Sequence, residues 1–204
     1  MDLREEIPVE EPMIEEPSVE EILQGARANY LELIELYETL DRQIAAEVPD
    51  WAEEDRFSTL LVKICIDIAL LMLGADREYA GSECQAFNAL FGLQENYTDI
   101  STIAARMQEQ RPGSAELFSR LDHFLRDISV AERQPEQDLL EPARTFFLNL
   151  AQVIALIDER YHPDESRFHQ ELNQHLRQPA ELPPGTSLML KLRHGGLQPW
   201  PMEE

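Results

Sequence analysis

Apolar residues recur along this chain with helical spacing in seven successive stretches. In the first, over residues 18–48, Ile22, Ala26, Tyr30, Leu33, Tyr37, Leu40 and Ile44 fall every three or four positions and so lie on one stripe of a helix. Ser18 followed by Glu21 reads as a capping box at its start, and Pro49-Asp50 stops it. The second stretch, over 56–75, is apolar nearly all round, which predicts a central helix. Asp67 inside it needs a partner if buried, because an unpaired buried charge is costly. A third helix begins at Ser82 and brings Phe87, Leu90 and Phe91 inward; Asn96-Tyr97-Thr98 reads as a break, followed by a fourth helix over 99–110.

Pro112-Gly113 is a strong turn signal. Beyond it a fifth helix carries Leu117, Phe118, Leu121, Phe124, Leu125 and Ile128 on one face. The sixth covers 138–157 with Leu139, Ala143, Phe146, Leu150, Val153 and Ile157. Pro142 sits in its first turn, where a missing N–H does little harm. The seventh covers 163–177. The expected fold is therefore all-α: about seven helices in a bundle, with a long N-terminal helix.

The two ends depart from this pattern. Residues 1–17 hold seven acidic residues, three prolines and one arginine, too polar a mix to offset the entropy of ordering, which predicts a disordered acidic tail. Residues 178–204 form a Pro/Gly-containing arm in which only Ser187-Leu188-Met189-Leu190-Lys191-Leu192 alternates. That segment reads either as an extended arm anchored on the body or as a strand that a partner's edge completes.

Charge narrows the function. Seventeen basic against forty acidic residues leave a net charge of -23, which argues against a nucleic-acid partner or an anionic membrane held through a basic patch. It suits a cationic protein partner, a divalent metal, or simple solubility. The longest apolar run, 60–75, is short for a membrane span and contains Lys63 and Asp67, so no membrane insertion is expected. The two cysteines, Cys65 and Cys84, lie in apolar surroundings and read as small buried hydrophobes in a reducing compartment. With no apolar leader at the N-terminus, the expected location is the cytoplasm. Trp51 and Trp200 fall in predicted loops, where each either anchors a partner or covers an edge of the core.

The most specific signal is internal. Asp76, Tyr79 and Glu83 are repeated at the same offsets by Asp158, Tyr161 and Glu165, 82 residues later (158 minus 76). Each set follows an apolar helix and precedes an amphipathic one with a Phe near its start, Phe87 and Phe168. The chain thus reads as two related helix-turn-helix halves with acids at each turn. Those acids have two readings. Asp in a turn bonds backbone amides, and Glu in a first helical turn satisfies orphan N–H groups and suits the helix dipole. Alternatively Asp76, Glu83, Asp158 and Glu165, supplemented by Glu78 and Asp164, together offer a hard divalent cation such as calcium or magnesium the carboxylate oxygens it prefers.

This doubled Asp-x-x-apolar-x-x-x-Glu turn between helices resembles the TerB-like (tellurite resistance) superfamily over about residues 57–177. Ala75-Asp76 match the start of the family motif, Tyr79 stands at its apolar position, and Glu83 or Glu165 closes it. The resemblance implies a non-enzymatic, metal-associated or scaffolding helical module in stress-response or defence complexes, with Asp76, Glu83, Asp158 and Glu165 as the metal ligands. The Gly that follows Asp in the motif is replaced by Arg77 and Glu159, which predicts a different loop if that Gly serves a left-handed turn.

No catalytic pattern competes with these readings. The sequence has no Gly-rich phosphate loop, no Cys-x-x-Cys and no nucleophile elbow. His162, Glu165 and His169 have ordinary helix-surface spacing. The remaining alternative to a metal-associated module is a metal-free interaction adaptor that binds through its acidic tail and C-terminal arm.

Overall fold

The computed structural model describes residues 17–47, 51, 53, 56–109, 113–131, 138–157 and 162–177. Apart from Pro17, both terminal segments named above lie outside the described residues. The described chain is all-helical: α1 (Val19–Glu47), α2 (Phe57–Leu73), α3 (Gly81–Phe91), α4 (Tyr97–Glu109), α5 (Gly113–Ala131), α6 (Leu140–Ala155) and α7 (Pro163–Arg177).

The helix starts follow local chemistry. Ser18 and Glu21 form the expected reciprocal cap: Ser18 N donates to Glu21 Oε2 at 2.8 Å and Glu21 N to Ser18 Oγ at 3.3 Å. These hydrogen bonds, the backbone one foremost, hold the Glu21 carboxyl below its usual range. α4 begins earlier than the break at 96–98 implied, because the Asn96 side chain accepts Asp99 N at 3.0 Å and makes Asn96 the cap of a helix that already contains Tyr97. α6 begins two residues later than position 138, because the Asp138 carboxylate accepts Glu141 N at 3.1 Å from just outside the helix.

α2 is the centre. Its sequence FSTLLVKICIDIALLML is apolar nearly all round; only the side carrying Lys63 meets solvent, and the helix packs against α1, α4, α5 and α6. Asp67, the polar residue this burial puts at risk, is paired with Arg120 of α5. Around the N-terminal end of α2 an aromatic cluster forms. Phe57 lies 6.3 Å from Tyr37 and 6.0 Å from Phe124, and Phe124 lies 5.9 Å from Phe147. Trp51 is buried against Phe57 at 5.8 Å, so it covers a core edge. Full burial of a side chain such as Phe57 contributes roughly 1.5–3 kcal/mol relative to exposure.

α1 lies across this core and is held to α6 at two levels. Tyr30 stacks on Phe146 at 6.1 Å, and the buried Tyr37 hydroxyl donates to the Leu139 carbonyl at 2.6 Å. The order of these pairs, 30 with 146 and 37 with 139, makes α1 and α6 antiparallel. α3 and α7 then fold back beside α1 and α6 respectively. No described helix is long and apolar enough to cross a membrane.

Candidate functional site

Charge combines with shape in the described structure at the acidic helix turns, in a cleft between α1 and α6, and in a smaller hollow of about 300 Å³ lined by Glu38, Asp41, Arg42 and Arg56.

The first turn joins α2 to α3. Asp76 Oδ1 accepts Glu78 N at 2.8 Å, a local bond that closes the loop. Arg77 follows with φ of 65°, the left-handed region, which costs a residue with a Cβ roughly 1–2 kcal/mol. The loop therefore takes a left-handed step at a position where the sequence has no Gly. Local bonds bracket it: Arg77 N donates to the Gly74 carbonyl at 3.3 Å, and Asp76 holds the amide that follows. Tyr79 is half-buried against the core, and its carbonyl accepts the Tyr97 hydroxyl at 2.7 Å. Burial, and then the nearby carboxylates of Asp76 and Glu109, push the Tyr79 phenol up.

Glu83 is not presented to solvent. It is 1% exposed, and its Oε2 accepts Ala80 N at 2.7 Å. Ala80 has no acceptor of its own, so the third helical residue alone reaches back to cap the helix.

The turn into α7 repeats this bond. Glu165 is also 1% exposed, and its Oε2 accepts His162 N at 2.7 Å. Ser166 N bonds the His162 carbonyl at 3.0 Å, as Cys84 N bonds the Ala80 carbonyl at 3.3 Å. The correspondence 80/162, 83/165 and 84/166 preserves the offset of 82. Asp164 pairs with Arg167 at 3.0 Å on the surface. Asp158 and Tyr161 lie outside the described residues.

Of the four candidate ligands, then, three are placed, and each of the three accepts a backbone amide of its own turn. Among the described residues, no group of three or more His, Cys, Asp or Glu is arranged to hold a metal ion.

The cleft lies beside the Tyr30–Phe146 stack and has a volume of about 510 Å³. Leu33, Leu36 and Phe146 form its floor, and Glu32, Asp138 and Glu141 stand round it. Asp138 uses one oxygen to cap α6, and Glu141 is paired with Arg144 at 2.6 Å. The lining is nonetheless acidic, since Glu32, Asp138 and Glu141 belong to it and Arg144 does not. Its size is that of an ordinary ligand or peptide side-chain site.

Compared with known proteins, the chain matches no family profile, no curated protein and no solved structure.

Sequence reading missed the cleft. Its walls come from segments more than a hundred residues apart, and each wall residue taken singly is an ordinary helix-surface or helix-core position. The only sequence trace was the acidic start of the sixth helix, Asp138 and Glu141, which reads as dipole complementation.

Proposed function

We propose that this chain is a non-enzymatic, metal-free interaction module: an acidic helical scaffold or adaptor that presents a charged cleft to a protein partner. The observation that carries this reading is the α1/α6 cleft, in which Glu32, Asp138 and Glu141 surround Leu33, Leu36 and Phe146 on a chain of net charge -23. An acidic rim over an apolar floor favours encounter with a cationic surface and then rewards apolar contact. The N-terminal tail and C-terminal arm belong to the proposal as additional binding segments.

We further propose that the two helical turns are copies of one unit and that the module is TerB-like, with the stress- or defence-associated role that resemblance implies. Two features support this: the preserved 82-residue offset of the capping bonds, and the left-handed Arg77 at the place of the family's Gly. Within this reading a divalent-cation role for Asp76, Glu83, Asp158 and Glu165 would require Glu83 and Glu165 to leave the amides they cap. That cost makes the metal-free form the better supported one.

The experiment is affinity capture from the source cell with the full chain, with residues 1–17 or 179–204 deleted, and with Glu32→Lys plus Glu141→Lys. Capture that at least one of these changes abolishes supports an adaptor. Capture undiminished by all three overturns it.

A further inference from the structure

We infer that the α1/α6 cleft is the docking groove for a short amphipathic helix bearing Lys or Arg along its flanks. This rests on the interaction-module reading above and adds the chemistry of the partner. Three observations converge on it.

The first is shape. The groove runs between two antiparallel helices, so its long axis follows theirs. The lining residues on α6 extend from Glu141 to Asn149, about two helical turns, with Asp138 just ahead of the helix. A helix laid in such a groove completes a three-helix packing and presents one apolar side chain per turn, at i, i+3 or i+4, and i+7.

The second is the floor. Leu33 and Phe146 are already pressed into the core, and Leu36 is partly exposed beside them, so the base is apolar and does not need to rearrange to accept apolar side chains. The Tyr30–Phe146 stack and the Tyr37–Leu139 hydrogen bond tie the two walls together at two levels.

The third is charge. Glu32 lines the cleft from α1 and Asp138 and Glu141 line it from the α6 side, so both walls contribute acids beside the apolar strip. A partner helix with cations flanking its apolar stripe meets a carboxylate on each side. An acidic or neutral amphipathic helix meets repulsion or no pairing, and the charge of the whole chain adds to that discrimination.

The test uses the full chain and synthetic peptide probes. The probe is a helical peptide with Leu at i, i+3, i+4 and i+7 and Lys on the flanking positions. One control peptide replaces Lys by Glu, and a second replaces Leu by Ser. Binding is read by calorimetry and by amide chemical-shift changes on the labelled protein. The Lys/Leu peptide is expected to bind, with shifts concentrated at residues 29–36 and 138–149. Added salt should weaken it. Glu32→Lys, at an exposed position of α1, should weaken it severalfold without changing the melting temperature; adding Glu141→Lys should bring the loss to about tenfold or more, with a lower melting temperature because that change also removes the Arg144 pair.

No binding of the Lys/Leu peptide overturns the inference, as does equal binding of the Glu/Leu peptide. Equal binding of the Lys/Ser peptide, or equal binding to the charge-reversed protein, shows attraction to the acidic surface at large and also overturns it. Each of these results can stand beside partner capture that depends on the terminal segments, so the groove can fail while the adaptor reading survives.

Discussion

Asp41, near the end of α1, caps α2 through Ser58. Its Oδ2 accepts both Ser58 N at 2.9 Å and Ser58 Oγ at 2.7 Å, while Oδ1 accepts Phe57 N at 2.8 Å. Asp41 is 5% exposed, and Arg56, at the ordinary capping position, makes no side-chain cap. One carboxylate from another helix thus satisfies two orphan amides at the start of the most buried helix in the molecule. Asp41→Ala should cost about 2–3 kcal/mol in urea unfolding, because it leaves buried donors without an acceptor. Asp41→Asn should cost less, since the amide oxygen still accepts one bond. A loss below about 0.5 kcal/mol for Asp41→Ala would show that water replaces the cap.

The two turn glutamates should behave as caps. Glu83→Ala and Glu165→Ala are each expected to lower stability by about 1–2 kcal/mol, by removing the acceptor of Ala80 N and His162 N. Adding calcium or magnesium should leave the wild-type melting temperature unchanged. A cation-dependent rise that Asp76→Ala plus Asp158→Ala abolishes would restore these acids as ligands, because a bound ion stabilises only the state that holds it.

Two backbone positions should respond in opposite senses. Arg77 occupies left-handed backbone, so Arg77→Gly should be neutral to stabilising by up to about 1 kcal/mol, the relief of strain being partly offset by added freedom in the unfolded chain. Gly92 ends α3 at φ 68°, with the guanidinium of Arg27 beside it; a Cβ there would lie 2.9 Å from Arg27 Nη2. Arg27 also donates to the Ala89 carbonyl. Gly92→Ala should therefore cost about 1–2 kcal/mol, and Gly92→Ala in an Arg27→Ala background should cost less, a coupling that a double-mutant cycle reads directly.

Stability should decline on the alkaline side. Burial pushes the Cys65 thiol well above its ordinary value of 9.0, and burial followed by the adjacent Glu83 raises Cys84 as well. Burial raises Tyr30 in the same direction. A folded-state value above the unfolded one means that the contribution is fully present below the unfolded value and is lost as pH rises through the folded value. The melting temperature should be level through neutral pH and fall above about pH 9, with a shallower fall in Cys65→Ala. A thiol reagent at pH 8 should label Cys65 only when denaturant is added, since the residue is fully buried.

Much of this protein was legible along the chain. The stripe from Ile22 to Ile44 and the near all-round apolarity of α2 are local patterns with the helical period, and burial follows them closely: Tyr30, Leu33, Tyr37, Leu40 and Ile44 are buried, Ile22 and Ala26 half-buried. The need of Asp67 for a partner followed from its apolar surroundings, though nothing in the sequence pointed to Arg120. The acids at both turns were visible as a repeat, and capping was one of their two readings, because a Glu three residues into a helix can reach the preceding amide whatever the rest of the molecule does.

What the sequence could not decide are the relations between distant segments: Asp41 with Phe57, Tyr37 with Leu139, and the meeting of Leu33 and Phe146 that floors the cleft. Periodicity reports which face of a helix turns inward. It does not report which neighbour that face meets, nor where two packed helices leave a gap. Those depend on how every stripe is matched at once around α2, and only the folded arrangement brings Glu32 into one cleft with Asp138 and Glu141.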